Sequence, residues 1–172
     1  SDLSNLFLFG HLQRQFLQAD NNNSKESYSI NRAIVEDLVT FFKDGGDFAS
    51  IYSPLGHGKT VLVESLAIKL QASGEQVFVA KRNQPELSNE LLEIVTIHDR
   101  PIVIFDDFFQ FTRHWPTISA MGSEKIRLVI TGRINVFQAR EQALEERFLD
   151  HNPVSFEMKG LTSDEAMALA PL

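Results

Sequence analysis

The octapeptide SPLGHGKT, residues 53–60, has the residue types and spacing that hold a chain of phosphates. It follows an apolar segment typical of a strand and precedes a segment with helical periodicity, which is the context that a phosphate-binding loop requires. Glycines at 56 and 58 permit backbone conformations closed to other residues, so successive N–H groups can turn toward phosphate oxygens. The helix that follows adds unpaired N–H groups and the positive end of its dipole.

Two side chains in this loop carry specific chemistry. Lys59 would bridge the β- and γ-phosphates, and the Thr60 hydroxyl would hold Mg²⁺. The usual pattern, G-x-x-x-x-G-K-[ST], has glycine where this chain has Ser53; we expect a small residue to suffice there, with that end of the loop tighter or shifted. The alternative, an ordinary turn with a surface lysine, fits the pattern less well. The predicted nucleotide-binding residues are Ser53, Pro54, Leu55, Gly56, His57, Gly58, Lys59, Thr60 and Val61.

Two adjacent carboxylates, Asp106 and Asp107, follow the apolar segment 101–105. This places them at the carboxyl edge of a buried strand, where open α/β sheets bind ligands. We expect Asp106 to bind Mg²⁺ together with Thr60, and Asp107 to orient or deprotonate the attacking water. Aspartate is shorter than the glutamate common at the second position, which favours slow catalysis. Alternatively, the pair simply caps the next helix.

A third polar segment, Thr131-Gly132-Arg133, follows the apolar segment 126–130. The planar guanidinium of Arg133 suits a γ-phosphate and would distinguish ATP from ADP. We therefore predict that Arg133 acts with Asp107 in catalysis. The alternative is a strand-to-helix turn with a solvated arginine.

The elements that must position these residues alternate along the chain from Phe48 onward. The pattern predicts strands at 48–52, 77–80, 101–105, 126–130 and 154–158. Helices are predicted at 59–71, 85–97 and about 136–149, with another starting near 162. Because the strands are continuously apolar, the sheet should be parallel and covered on both faces. The predicted fold is α/β, a P-loop NTPase three-layer α/β/α sandwich with a five-stranded parallel sheet.

The chain is expected to have two parts. Residues 1–47 form an N-terminal helical and loop extension, with a polar stretch at 19–27 and a helix from about residue 30 to 42. Residues 48–172 form the NTPase core, cut short inside the next helical region. Within the core, the aromatic segment 108–111 and Trp115 are interpreted as a helix packing on the sheet rather than as a binding surface.

Composition limits the partners. The chain has 172 residues and a net charge of −7, so it has no general attraction to nucleic acid or anionic lipid. The absence of cysteine excludes disulfides, thiolate catalysis and cysteine-ligated zinc. The sequence contains neither a membrane span nor the basic start of a signal peptide, and the 5 histidines lack paired ligand spacing. These features predict a soluble, cytoplasmic protein without a membrane or nucleic-acid partner.

The order of the motifs SPLGHGKT, IVIFDD, LVITGR and FEMKGLTSDEAMALA resembles the nucleotide-binding domain of STAND ATPases (signal transduction ATPases with numerous domains) over residues 48–170. The NB-ARC and NACHT proteins belong to that group. The residues that match the family's motifs are Gly56, Gly58, Lys59, Thr60, Asp106, Asp107, Thr131, Arg133, Leu161, Glu165, Ala166 and Leu169.

The resemblance implies an ATP-binding, slowly hydrolysing switch domain of a larger signalling or defence protein. Its cofactors would be ATP or ADP with Mg²⁺, and its partners further domains of the same chain and, on activation, other copies of itself. The main alternative is an AAA+-like loader or motor ATPase acting on nucleic acid, against which Asp107 and Arg133 argue. A metabolic kinase lacks support because no arginine-rich lid segment is visible, and a scaffold that binds nucleotide without hydrolysis stays open.

Overall fold

The computed structural model describes residues 33–54, 58–80, 83–133 and 154–158. The predicted helices near 136–149 and from 162 onward, and the predicted polar stretch at 19–27, lie outside these ranges. The elements in chain order are α1 (Ala33–Lys43), β1 (Phe48–Ser53), α2 (Lys59–Ala72), β2 (Val77–Ala80), α3 (Leu87–Ile97), β3 (Ile102–Phe105), a 3₁₀ helix (Phe108–His114), α4 (Trp115–Lys125), β4 (Arg127–Arg133) and β5 (Val154–Glu157).

The strands form one five-stranded sheet in the order β2-β3-β4-β1-β5. Every neighbouring pair is parallel. The predicted five-stranded parallel sheet is therefore confirmed. Strand β4 lies between β1 and β3, so the carboxyl end of β4 separates the end of β1 from the end of β3. The three segments expected to carry chemistry consequently meet at one edge of the sheet.

Apolar side chains alternate between the two faces of the sheet, as strand geometry requires. Ala49 and Ile51 of β1 pack with the buried residues of α1 and α2. Phe48 of the same strand packs on the opposite face, with residues of α3, the 3₁₀ helix and α4. The sheet thus has helices on both faces, which confirms the predicted three-layer arrangement. Burial of each large side chain contributes about 1.5–3 kcal/mol.

The helices bury one side each. Helix α1 buries Val35, Leu38, Val39 and Phe42, a spacing of three and four residues that forms one stripe. This stripe joins the apolar cluster that includes α2. In the 3₁₀ helix, Phe108 and Phe111 are buried in the opposite cluster, in agreement with the interpretation of that aromatic segment as a packing element.

Strand β4 is longer than the sequence predicts. The predicted end at residue 130 is wrong, because the strand continues through Thr131 and Gly132 to Arg133. The extension follows from pairing with the end of β1, where Tyr52 lies opposite Gly132 and Ser53 lies opposite Arg133. A strand-to-helix turn therefore does not begin before Arg133, which is the exposed last residue of the strand.

None of the helices within the described ranges is long and apolar enough to cross a membrane.

Candidate functional site

The loop between β1 and α2 ends in a glycine that the backbone requires. Gly58 is the residue before α2, and its φ of 77° lies in the left-handed region that disfavours side chains. Its carbonyl accepts a hydrogen bond from the Leu62 amide at 3.0 Å, which starts the helix. The prediction that glycine is needed is confirmed at this position. Residues 55–57, which include Gly56 and His57, lie outside the described ranges, and their contacts with phosphate stay predictions.

The Lys59 side chain bends back toward the end of β1. Its Nζ donates hydrogen bonds to Ser53 Oγ at 2.8 Å, to the Pro54 carbonyl at 3.1 Å and to the Ser53 carbonyl at 3.3 Å. Ser53 is fully buried. Pro54 is exposed, as is the Val61 side chain on α2. The lysine ammonium is therefore fixed at the carboxyl end of β1, where the loop predicts phosphate binding.

Charges around this lysine come from the other two strand ends. Burial lowers the pKa of Lys59 below its ordinary value; the carboxylates of Asp107 and Asp106 oppose that change, and Arg133 adds to it. Arg133 is the exposed last residue of β4. The structure thus brings Arg133 into the electrostatic field of Lys59, next to the end of β1.

Asp106 is the centre of a chain of hydrogen bonds. The Thr60 hydroxyl donates to Asp106 Oδ2 at 2.8 Å, and the Thr131 hydroxyl donates to Oδ1 at 3.0 Å. Helix α2, strand β4 and the end of β3 are therefore joined through one carboxylate. These bonds link the side chains that the sequence assigns to the metal.

The donor set of Thr60 and Asp106 fits a magnesium ion. A hydroxyl that donates its hydrogen to a carboxylate keeps its oxygen lone pairs available for a cation, and Mg²⁺ is usually held by one or two carboxylates together with phosphate and water oxygens. Within the described part of the chain, no group of three or more His, Cys, Asp or Glu side chains forms a metal site from protein atoms alone. The arrangement therefore suits a cation that arrives with a phosphate ligand.

Asp107 has an unusual backbone. Its φ and ψ are 59° and 67°, a left-handed conformation that costs energy for a residue other than glycine but is tolerated best by Asp and Asn. Its backbone N–H donates to the Thr131 hydroxyl at 2.8 Å, and its Oδ2 accepts from Gln110 Nε2 at 3.1 Å. The carboxylate makes no capping hydrogen bond to the 3₁₀ helix. The alternative in which Asp107 is only a helix cap is therefore wrong.

Two residues of the site make contacts that the sequence does not predict. Thr131, one of the residues that match the family's motifs, is fully buried, and its hydroxyl contacts both Asp106 and Asp107. Gln110 lies in the aromatic segment 108–111, which the sequence predicts to pack on the sheet. The signal for Thr131 was a hydroxyl residue directly after a continuous apolar strand; no comparable signal marks Gln110.

Comparison with known proteins places the chain by sequence. The family model described as Novel STAND NTPase 5 matches residues 22–145, about seven-tenths of the chain. No curated protein matches.

Solved structures give more distant similarity. The P-loop NTPase domain of the sigma-54 transport activator from E. coli has 14% identity and a TM-score of 0.47, covering 77% of this chain and 100% of that chain. A DNA replication initiation factor has 14% identity and a TM-score of 0.49, covering 98% and 52%. PCH-2 of C. elegans has 13% identity and a TM-score of 0.49, covering 81% and 46%. The chain spans about half the length of the last two structures, and at these scores none of the three bears on the site's chemistry.

Proposed function

The chain belongs to the novel STAND NTPases, and from that membership we propose that it is the ATP-binding, slowly hydrolysing switch domain of a larger signalling or defence protein. The observation that supports this most directly is the chain of hydrogen bonds from Thr60 through Asp106 to Thr131. It lies beside Lys59 at the edge of the sheet where three polar strand ends meet. Such an arrangement provides a cation for phosphate, oxygens for Mg²⁺ and a carboxylate for water in one place.

Nucleotide binding is assigned to the loop that joins β1 and α2. Backbone N–H groups around positions 56–60 would surround the phosphates, and the ammonium of Lys59 would bridge the β- and γ-phosphates. Thr60 and Asp106 would hold Mg²⁺, which when bound supplies positive charge against the phosphate oxygens. No guanine-reading N-K-x-D segment is present in the sequence, which favours ATP over GTP.

Hydrolysis is assigned to Asp107. A water molecule attacks the γ-phosphorus, the bond from that phosphorus to the β–γ bridging oxygen breaks, and the water's proton passes to the Asp107 carboxylate. Gln110 orients that carboxylate through its hydrogen bond to Oδ2. Because aspartate reaches less far than glutamate, the proposed rate is slow.

The switch would read the γ-phosphate through Arg133. Arg133 is the last residue of β4 and pairs with Ser53 in the register of the sheet, and a bidentate contact from arginine distinguishes a terminal phosphate from its absence. Loss of the γ-phosphate would then change the contacts of β4. We propose that further domains of the same chain respond to this change and that self-association follows in the ATP state, in the cytoplasm.

Residues 48–172 are the proposed core, with residues 1–47 as an extension whose helix α1 packs against α2.

Calorimetric titration of the protein with ATP, ADP and GTP in the presence of Mg²⁺ tests this proposal. We expect ATP and ADP to bind and Lys59→Ala to remove most of the affinity for ATP. Lys43→Ala, at the exposed end of α1, is the matched control and should bind as the parent does. Equal ATP affinity in Lys59→Ala and Lys43→Ala would refute the assignment of the loop.

A further inference from the structure

Ser53 stands where the usual phosphate-loop pattern has glycine, and its side chain contacts the loop's own lysine. The hydroxyl accepts a hydrogen bond from Lys59 Nζ at 2.8 Å and donates one to the Pro54 carbonyl at 2.9 Å. Lys59 Nζ also lies 3.1 Å from that same carbonyl. The three groups thus close a triangle of hydrogen bonds at the end of β1.

The donors of the lysine are fully used in this arrangement. An ammonium group has three hydrogens, and Lys59 Nζ has three acceptors, at 2.8, 3.1 and 3.3 Å. The two carbonyls of Ser53 and Pro54 would be present whatever the side chain at position 53. The hydroxyl is the shortest of the three contacts, and it is the one that glycine would not supply. Hydrogen bonds to a charged donor are stronger than those between neutral groups.

The backbone at this position does not require glycine. Among the described non-glycine residues, positive φ angles occur at Arg100 and Asp107 and not at Ser53. Ser53 is a regular strand residue opposite Arg133. The serine is therefore no strained substitute for glycine, and alanine can adopt the same backbone conformation.

We propose that Ser53 is a latch on Lys59, which holds the ammonium on the chain's own oxygens and thereby weakens the binding of a nucleoside triphosphate. The proposal rests on the function proposed above. A lysine that bridges two phosphates needs two donors for them, so at least two of its three contacts must be exchanged. A diphosphate requires fewer exchanges, because it lacks the γ-phosphate. The latch therefore weakens ATP binding more than ADP binding and biases the site toward the diphosphate.

Calorimetric titration with Mg²⁺ and either ATP or ADP tests the latch in the parent and in Ser53→Ala. The free energy of one hydrogen bond to a charged group corresponds to a change in affinity of roughly tenfold. We expect Ser53→Ala to bind ATP roughly tenfold more tightly than the parent, with a smaller gain for ADP. Ser53→Gly should change the ATP affinity in the same direction.

Ser50→Ala is the matched control. Ser50 is a fully buried serine of the same strand, but its hydroxyl bonds to Ser155 Oγ at 2.7 Å rather than to Lys59. We expect its ATP affinity to equal that of the parent. The latch is wrong if ATP binds Ser53→Ala no more tightly than the parent, or if ATP and ADP gain equally. If ATP also binds Lys59→Ala as tightly as the parent, the proposed function itself fails; if Lys59→Ala loses ATP while Ser53→Ala gains nothing, only the latch fails.

Discussion

The hydroxyl of Thr131 donates a hydrogen bond to Asp106 Oδ1 across 3.0 Å, from the inside of β4 to the end of β3. The Thr131 hydroxyl oxygen also accepts a hydrogen bond from the backbone N–H of Asp107 at 2.8 Å. One buried hydroxyl thus orients the residue proposed to bind Mg²⁺ and fixes the left-handed backbone of the residue proposed to act on water. Arg133 follows two positions later on the same strand. A displacement of the carboxyl end of β4 would therefore also change the hydrogen bonds of Thr131 with Asp106 and Asp107.

Removing this hydroxyl should damage stability and hydrolysis together. Thr131→Val keeps the shape of the side chain but leaves the Asp107 N–H without its acceptor in a partly buried site, which costs about 1–3 kcal/mol. We expect urea unfolding to show that loss, and single-turnover ATP hydrolysis to slow. Thr131→Ser keeps the hydroxyl and should recover most of both. A Thr131→Val protein as stable and as active as the parent would contradict the bridging role.

Much of the sheet and its edge site could be predicted from sequence, because apolar segments bounded by Gly, Pro and charged residues mark buried strands. The phosphate loop and the acid pair were predictable for the same reason, since both directly follow such segments. The end of β4 could not be predicted from the sequence, because its last residues are polar and are held in the strand by pairing with Tyr52 and Ser53. The Thr131 contacts depend on which strands are neighbours, and a single sequence does not state the strand order. The contact of Gln110 with Asp107 is local, and no feature of the sequence marks it.

The glycine at the start of α2 should matter for binding as well as for stability. Gly58→Ala places a side chain at a φ of 77°, which costs about 1–2 kcal/mol. Gly74 is the matched control, with a φ of 93° just beyond α2 and open space around it. We expect both alanine variants to lose stability in thermal unfolding, and only Gly58→Ala to lose ATP affinity in titration. Equal ATP affinity in the two variants would show that the loop tolerates a shift of its last residue.

A substitution at Asp107 should separate ATP binding from ATP hydrolysis. Asp107→Asn keeps a residue that tolerates the left-handed backbone, and its amide oxygen can still accept from Gln110, but it no longer takes a proton from water. General-base catalysis typically contributes about 10²–10⁴-fold, so we expect single-turnover ATP hydrolysis to fall by that order while ATP affinity does not fall. Hydrolysis by Asp107→Asn at the parent rate would show that another group activates the water.

An ion pair at the opposite edge of the sheet should contribute to stability without affecting nucleotide binding. Asp47 is buried and pairs with Arg100, which also donates from Nε to the Ser123 carbonyl at 3.1 Å. Because Arg100→Ala removes a partner of a buried carboxylate, we expect a loss of about 2–4 kcal/mol in the free energy of unfolding. Urea titration measures it. The ATP affinity of the folded variant should match that of the parent, and a loss smaller than about 0.5 kcal/mol would mean that the pair behaves as a surface contact.

The buried imidazole of His114 should make stability depend on pH. Its Nδ1 lies 2.7 Å from Ser88 Oγ, and its Nε2 accepts from Arg113 Nε at 2.9 Å. Burial, and then the neighbouring Arg113 guanidinium, lower the pKa of His114 below its ordinary 6.5, against a raising contribution from a backbone hydrogen bond with Gln84. The neutral ring is therefore the form that the folded protein prefers.

The direction of the effect follows from which state binds more protons. Below pH 6.5 the unfolded chain protonates His114 before the folded protein does, so the free energy of unfolding decreases as pH falls, by at most about 1.4 kcal/mol per pH unit. Above that pH both states are neutral and the contribution is fully present. Urea unfolding should be measured at pH 7.5, 6.5 and 5.5, conditions spaced about one unit apart, which is the width of such a titration. We expect this decrease in the parent and a smaller decrease in His114→Gln. Because the other titrating groups are shared by both proteins, the difference between the two curves isolates this ring, and parallel curves would exclude His114 as the cause.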